Sequence, residues 1–299
     1  MKHLLSIEAL TAGEIRSLIA QGHEMKRMRG KEPQVLTGQC WAMMFAKNST
    51  RTRVSFEVGV RELGGRVMFL SANDIQLGRG EPIKDTARVM GRMVHGAIIR
   101  TFAQRDVEEF AEFSKIPTIN ALTDAEHPCQ ILADLMTIEE RLGSYDDRVV
   151  CFIGDGACNV PISWIWAAAR LGFELRIAAP KVFQPDPEIV KRSGAKVFVT
   201  TDCAEAARGA DVVYTDTWIS MGKEAEVEYR MAQLAPYKID AALMENAKPG
   251  AVVLHCLPAY RGKEISEEIM EAHATTIFDE AENRLHVQKA VIAGLVAEA

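Results

Sequence analysis

No stretch of this 299-residue chain approaches the apolar length, about 20 residues, that spans a bilayer. Residues 1–20 place Leu4, Leu5, Ile7, Leu10, Ile15, Leu18 and Ile19 at helical spacing among polar residues, without the apolar core and cleavage site of a signal peptide. Cysteine is sparse: Cys40, Cys129, Cys151, Cys158, Cys203 and Cys256 form no C-x-x-C pair and stand mostly in apolar stretches. That pattern argues against a disulfide framework or a structural zinc site and fits reduced thiols in a cytoplasmic enzyme. Excess positive charge is missing too. The 35 Lys and Arg are scattered against 41 Asp and Glu, for a net charge of -6. No nucleic-acid or membrane partner is expected without a broad basic face, whereas a small anion needs only a few local arginines. Two nucleotide devices are also absent. There is no G-x-x-x-x-G-K-[ST] segment, and Gly154-Asp155-Gly156-Ala157-Cys158-Asn159 lacks the third glycine of the dinucleotide fingerprint, leaving a nicotinamide cofactor as the lesser reading.

What the chain does have is 48% hydrophobic residues, arranged as short β-rich runs alternating with helical segments from Cys40 onward. That rhythm predicts an α/β fold with parallel sheets covered by helices, and the length predicts two such domains joined by interdomain helices. Strands are expected over 39–46, 65–70, 96–101 and 117–120, with helices over 53–63, 84–93 and 107–114. A second set of strands is expected over 148–153, 173–178, 196–199, 212–215, 251–255 and 276–278. The helical stretch 130–141, closed by Gly143, is the connector, which sets domains at 1–135 and 136–284. A C-terminal amphipathic helix over 285–299 is expected to return to the first domain.

Ser49-Thr50-Arg51-Thr52-Arg53 stands directly between an apolar strand and a helical run. Hydroxyls, guanidinium forks and free helix N–H groups at one point make an anion site. The plainer reading is a capped helix with solvated arginines, but capping needs only Ser49 or Thr50, so two further arginines favour phosphate. His127-Pro128-Cys129-Gln130 lies beyond a strand end, where open α/β sheets bind ligands. By itself, His-Pro more often marks a helix start. His255-Cys256-Leu257-Pro258 follows another apolar strand, and Cys256 is either a buried packing residue or a polarisable group facing a substrate. Asp216-Thr217-Trp218-Ile219-Ser220-Met221-Gly222 offers a carboxylate for a cationic substrate followed by a loop, 218–222, suited to act as a lid. The alternative is a solvated surface turn.

Together these segments resemble the aspartate and ornithine carbamoyltransferase family over essentially the whole chain. The anchors are Ser-Thr-Arg-Thr-Arg and His-Pro-x-Gln, while Asp-x-x-x-Ser-Met-Gly and His-Cys-Leu-Pro look like the ornithine branch. The resemblance implies transfer of the carbamoyl group of carbamoyl phosphate to the δ-amine of L-ornithine, yielding L-citrulline and phosphate for arginine biosynthesis. Putrescine or an N-acylated ornithine is the alternative acceptor. Residues 1–135 would bind carbamoyl phosphate and 136–284 ornithine. By that resemblance Ser49, Thr50, Arg51 and Thr52 hold the phosphate, and Arg100, His127 and Gln130 reach the carbamoyl end, with Arg284 completing the cluster. Asn159, Asp216, Ser220 and Met221 would bind ornithine. Cys256 and Leu257 would flank the reacting amine at the edge of the carbamoyl phosphate site, and Arg100, His127 and Cys256 would be catalytic. No metal or organic cofactor is implied. Gln76, in Asp74-Ile75-Gln76-Leu77-Gly78, would reach the neighbouring subunit's site in a homotrimer. One departure stands out: the turn Gly154-Asp155-Gly156-Ala157-Cys158-Asn159-Val160 is one residue longer than the Gly-Asp-Gly-Asn-Asn-Val common in the family.

Overall fold

A strand covered by helices on both faces has no solvent side, so it reads as an unbroken apolar run rather than an alternating one. Cys-Trp-Ala-Met-Met-Phe and Val-Val-Cys-Phe-Ile are runs of this kind, and both become interior strands. The computed structural model describes residues 1–71, 80–219 and 224–297. The chain divides into two units, Met1–Met136 with Glu282–Ala299, and Thr137–Ala281.

The first unit contains α1 (Ala12–Arg27), β1 (Cys40–Phe45), α2 (Thr50–Glu62), β2 (Arg66–Ser71), α3 (Ile83–Met90), β3 (Gly96–Arg100), α4 (Gln104–Ser114) and β4 (Thr118–Leu122). Its parallel sheet has the order β2-β1-β3-β4. Helix α5 (Pro128–Leu142) starts in this unit and crosses into the second. There follow β5 (Val149–Ile153), α6 (Asn159–Leu171), β6 (Glu174–Ala178), α7 (Pro187–Ser193), β7 (Val197–Thr200), α8 (Cys203–Ala207) and β8 (Val212–Thr215). The second unit ends with α9 (Val227–Leu234), α10 (Ala241–Met244), β9 (Val252–His255), α11 (Glu267–Ala272) and the first turns of α12 (Ala274–Ala297). Its sheet is also parallel, ordered β7-β6-β5-β8-β9. Two helix-flanked parallel sheets are the expected α/β architecture.

Two expectations give way. The strand read over 276–278 is helical, and the last helix starts at Ala274 instead of residue 285. Thr276, Ile277, Glu280, Asn283, Arg284 and Val287 are all buried while Phe278 is exposed, a spacing of three and four that only a helix turns to one face. At the other end, helical spacing over 1–20 becomes helix only from Ala12, where Thr11 and Glu14 form a reciprocal capping box. Upstream, Leu4 runs beside β4: its N–H donates to Thr118 O at 2.9 Å, and its carbonyl accepts from Asn120 N at 2.7 Å.

Candidate active site

In each sheet the chain winds one way and then the other. The strands where it reverses are β1 and β3 in the first unit and β5 and β8 in the second. Crevices for ligands open beyond the carboxyl ends of such strands. Ser49, Thr50, Arg51 and Thr52 follow β1, Arg100 ends β3, Asn159 follows β5 and Asp216 follows β8, whereas His127 and Gln130 lie beyond the edge strand β4 and Cys256 and Leu257 beyond the edge strand β9.

In the first unit, Ser49 caps α2, and its Oγ accepts from Thr52 N at 3.2 Å. The first turn of α2 holds no acidic residue, so the other free N–H groups and the positive helix end remain available to an anion. Thr50, exposed, and Arg51, half-buried, belong to this turn. Arg53 is otherwise engaged, 3.8 Å from the centroid of the Phe69 ring and 3.7 Å from Glu57. Arg100 ends β3 and is 5% exposed. Pro128 occupies the first position of α5, where its missing N–H costs nothing, and His127 precedes it.

Thr52, Gln130 and Arg284 come together directly. Arg284 Nη1 donates to Gln130 Oε1 at 2.6 Å and Nη2 to Thr52 Oγ1 at 3.4 Å, while Gln130 Nε2 donates to Asp134 Oδ1 at 2.8 Å. All four residues are buried. Burial, then the Arg284 and Arg100 guanidiniums, hold the His127 imidazole well below its usual pKa, so it acts as a neutral hydrogen-bonding group. Cys129 is a packing residue, its thiol pushed up to about 12 by burial. Asp134 was missed in the sequence, although Gln130-x-x-x-Asp134 is the spacing that sets two side chains on one helix face.

In the second unit, Asp216 follows β8 and Cys256 follows β9. Cys256 Sγ donates to Asp216 Oδ1 at 2.9 Å, and Thr217 N donates to the same oxygen at 2.6 Å. Asp216 is therefore no solvated turn; it is 9% exposed. Burial raises its pKa, against the pull of His255, the Cys256 thiol and the Thr217 amide. Half-buried Cys256 is a polar partner of that carboxylate rather than a packing residue. Leu257, also half-buried, has φ 57°, a left-handed conformation that a leucine adopts only under constraint. The constraint is His255, whose Nδ1 accepts from Leu257 N at 2.9 Å, leaving Nε2 to donate toward Glu264 Oε1 at 3.3 Å. Glu280 Oε2 accepts from His255 N at 2.9 Å. The role of Glu264 and Glu280 comes from complete burial, which no local pattern announces.

Asn159 is the half-buried first residue of α6, behind Cys158, whose side chain makes no capping bond. Among the described residues, Asp216, His255 and Cys256 bring ligand-type atoms within 4.8 Å of one another, but both ring nitrogens of His255 are already engaged, with Leu257 N and Glu264 Oε1. Gln76, Ser220, Met221 and Gly222, and with them most of the expected lid, lie outside the described residues.

The carbamoyl-P binding domain model of the aspartate/ornithine carbamoyltransferases matches residues 2–140, and their Asp/Orn binding domain model matches residues 146–295. A protein of Akkermansia muciniphila named ornithine carbamoyltransferase is 58% identical, covering 99% of this chain and 98% of its own. The solved anabolic ornithine carbamoyltransferase of Campylobacter jejuni superposes with a TM-score of 0.93 at 46% identity, covering 100% of both chains. That of Pyrococcus furiosus gives 0.93 at 40% identity, over 100% of this chain and 98% of its own. With both family domains matched in order along the sequence, the chain belongs to the aspartate/ornithine carbamoyltransferase family.

Proposed function

We propose that the chain transfers the carbamoyl group of carbamoyl phosphate to the δ-amine of L-ornithine, producing L-citrulline and phosphate in arginine biosynthesis. The unit of residues 1–136 with 282–299, which includes Arg284, binds carbamoyl phosphate, and 137–281 bind ornithine. On this reading Ser49, Thr50, Arg51 and Thr52 bind the phosphate. Arg100, His127 and Gln130 address the carbamoyl end, Thr52 also polarises its oxygen, and Arg284 holds Thr52 and Gln130 in place. Donors aimed at that oxygen act as negative charge develops on it, each worth about 3–4 kcal/mol in the transition state. A neutral His127 suits this task, because it donates without adding a third positive charge beside the two arginines.

The δ-ammonium must first lose one proton to solvent, so that the neutral amine attacks. It then forms the C–N bond as the C–O bond to phosphate breaks, and the second N–H proton leaves with the phosphate. The observation that carries the acceptor assignment is the contact of 2.9 Å between Cys256 Sγ and Asp216 Oδ1. A buried carboxylate whose pKa is raised gains most from an incoming ammonium, and a thiol on one of its oxygens orients it toward that charge. Asn159, Ser220 and Met221 complete the ornithine set, and Leu257 flanks the amine.

The same reading makes the protein a cytoplasmic homotrimer in which Gln76 acts in the neighbouring site. Support for the trimer comes from β2, the half-exposed outer strand of its sheet, which ends at Ser71, three residues before Asp74. The cysteines support a reducing compartment, being free thiols throughout. No described helix is long and apolar enough to cross a membrane.

A colorimetric assay of carbamoylated product with L-ornithine, putrescine, N-acetylornithine and L-aspartate side by side tests the assignment. L-Ornithine is expected to be the best acceptor. If L-aspartate were best, the roles given to Asp216 and Cys256 would both fail.

A further inference from the structure

An arginine taken out of water needs partners for its charge and its donors. Arg230 of α9 is 3% exposed and has them on several segments. It forms an ion pair with Asp155, in the turn after β5. Its Nε donates to the carbonyl of Trp218, in the loop after β8, at 2.8 Å. Its Nη1 lies 3.5 Å from Glu226 Oε2, and its guanidinium carbon lies 4.5 Å from the centroid of the Phe183 ring. The surroundings are equally closed: Phe183, Trp218 and Leu234 form a buried apolar cluster, with Ile219 and Met231 against it.

The two segments that Arg230 joins lead to the two described residues proposed to bind the amine substrate. Asp155 stands four residues before Asn159, and Trp218 two after Asp216. One carboxylate oxygen of Asp155 accepts from Ala157 N at 3.0 Å, closing the turn, while the other meets Arg230. The turn has no slack on its far side: a Cβ on Gly156 would lie 2.8 Å from Ile177 Cγ2 and 3.1 Å from the Phe183 carbonyl oxygen. The guanidinium thus bonds both segments that follow the neighbouring strands β5 and β8, the turn before α6 and the Asp216 loop.

We infer that Arg230, with Asp155, is the positioning residue of the amine half-site. It fixes Asn159 and Asp216 relative to one another without touching the reacting atoms. This rests on the function proposed above. A lysine cannot replace it in full, because one ammonium does not reproduce the planar fork that meets Asp155 and the Trp218 carbonyl together.

The test compares the parent with Arg230→Lys, Arg230→Met and the double variant Asp155→Asn/Arg230→Met, which leaves no orphaned buried carboxylate if the single Met variant does not fold. Displaced ligands raise the acceptor KM, so the expected result for the Met variants is an L-ornithine KM higher by about tenfold or more. The Lys variant should fall between, with the Kd for carbamoyl phosphate within about twofold of the parent in all three. Hydrogen exchange read by mass spectrometry should quicken over 154–159 and 216–219 and nowhere else. An unchanged L-ornithine KM, or exchange that is unaltered or accelerates uniformly, overturns the inference. If the parent carbamoylates none of the amines, the functional proposal fails and the exchange pattern alone decides: local acceleration sustains the positioning role, and its absence removes it.

Discussion

At the scale of single residues, burial and charge make the sharpest demands. The proposed phosphate site needs full positive charge where the helix N-terminus supplies only partial charge, and with Arg53 drawn to Phe69 and Glu57, the proposal gives that role to Arg51. Calorimetric titration of Arg51→Ala is expected to show no carbamoyl phosphate binding. Cys256→Ser should retain that binding and lose roughly 10²-fold in kcat/KM for ornithine, the scale of a small misplacement in an active site. Normal binding by Arg51→Ala would refute the phosphate assignment. A second charge test concerns Glu32, which pairs with the fully buried Lys289 at 2.6 Å. Burial pushes its carboxyl up, but the Lys289 ammonium and the Gly30 amide prevail and bring it from 4.5 down to about 2. A depressed carboxylate stabilises the fold above its unfolded pKa and loses that contribution as pH falls through the folded value. Urea unfolding should therefore show Glu32→Gln less stable than the parent at neutral pH, with the gap narrowing as pH falls from 4.5 toward 2. A gap independent of pH would deny the ion pair its role.

For the elements, the apolar runs were legible because parallel strands buried on both faces have no polar side. β8 and β9 were read at 212–215 and 251–255, within one residue of where they form. Thr276-Ile277-Phe278 is helix and not the expected strand because three β-favouring residues weigh little against a helix whose face is set by tertiary burial, as the buried Glu280 and Asn283 further along it show. Close approach between elements also went unseen. At Gly96, the start of β3, an added Cβ would lie 2.6 Å from the ring of Trp41, itself fully buried on β1. Gly96→Ala must displace that indole and should cost about 1–3 kcal/mol in urea unfolding, the usual range for overpacking. An unchanged midpoint would mean that the Trp41 ring has room to shift.

At the scale of the whole molecule, two parallel sheets each reverse their winding once, and the candidate ligands stand after their strands or on the helices that follow. Folding brings Thr52 on α2, Gln130 on α5 and Arg284 on α12, distant in sequence, into one hydrogen-bonded group. The exposed outer strand β2 has a different consequence. Unpaired strand edges invite protein contacts, and a trimer should give about 99 kDa by light scattering, three times the 33.0 kDa chain. An active monomer would exclude a site shared between subunits.

By itself the sequence determined the α/β class, nearly all the strands and the motifs at their ends, because hydrophobic period, capping residues and turn residues are local properties. It also marked Ser49, Thr52, His127, Gln130, Asp216 and Cys256 as chemistry-bearing. Tertiary structure alone decided that Cys256 turns its thiol to Asp216, that burial beside Arg284 and Arg100 lowers the pKa of His127, and that Arg53 turns to Phe69 and Glu57. It alone also disclosed Glu264, Glu280 and Arg230, whose roles rest on partners 9 to 75 residues away in the chain. The physical reason is that a side chain's protonation and orientation depend on desolvation and on neighbours brought by folding, neither of which is encoded in the residues beside it.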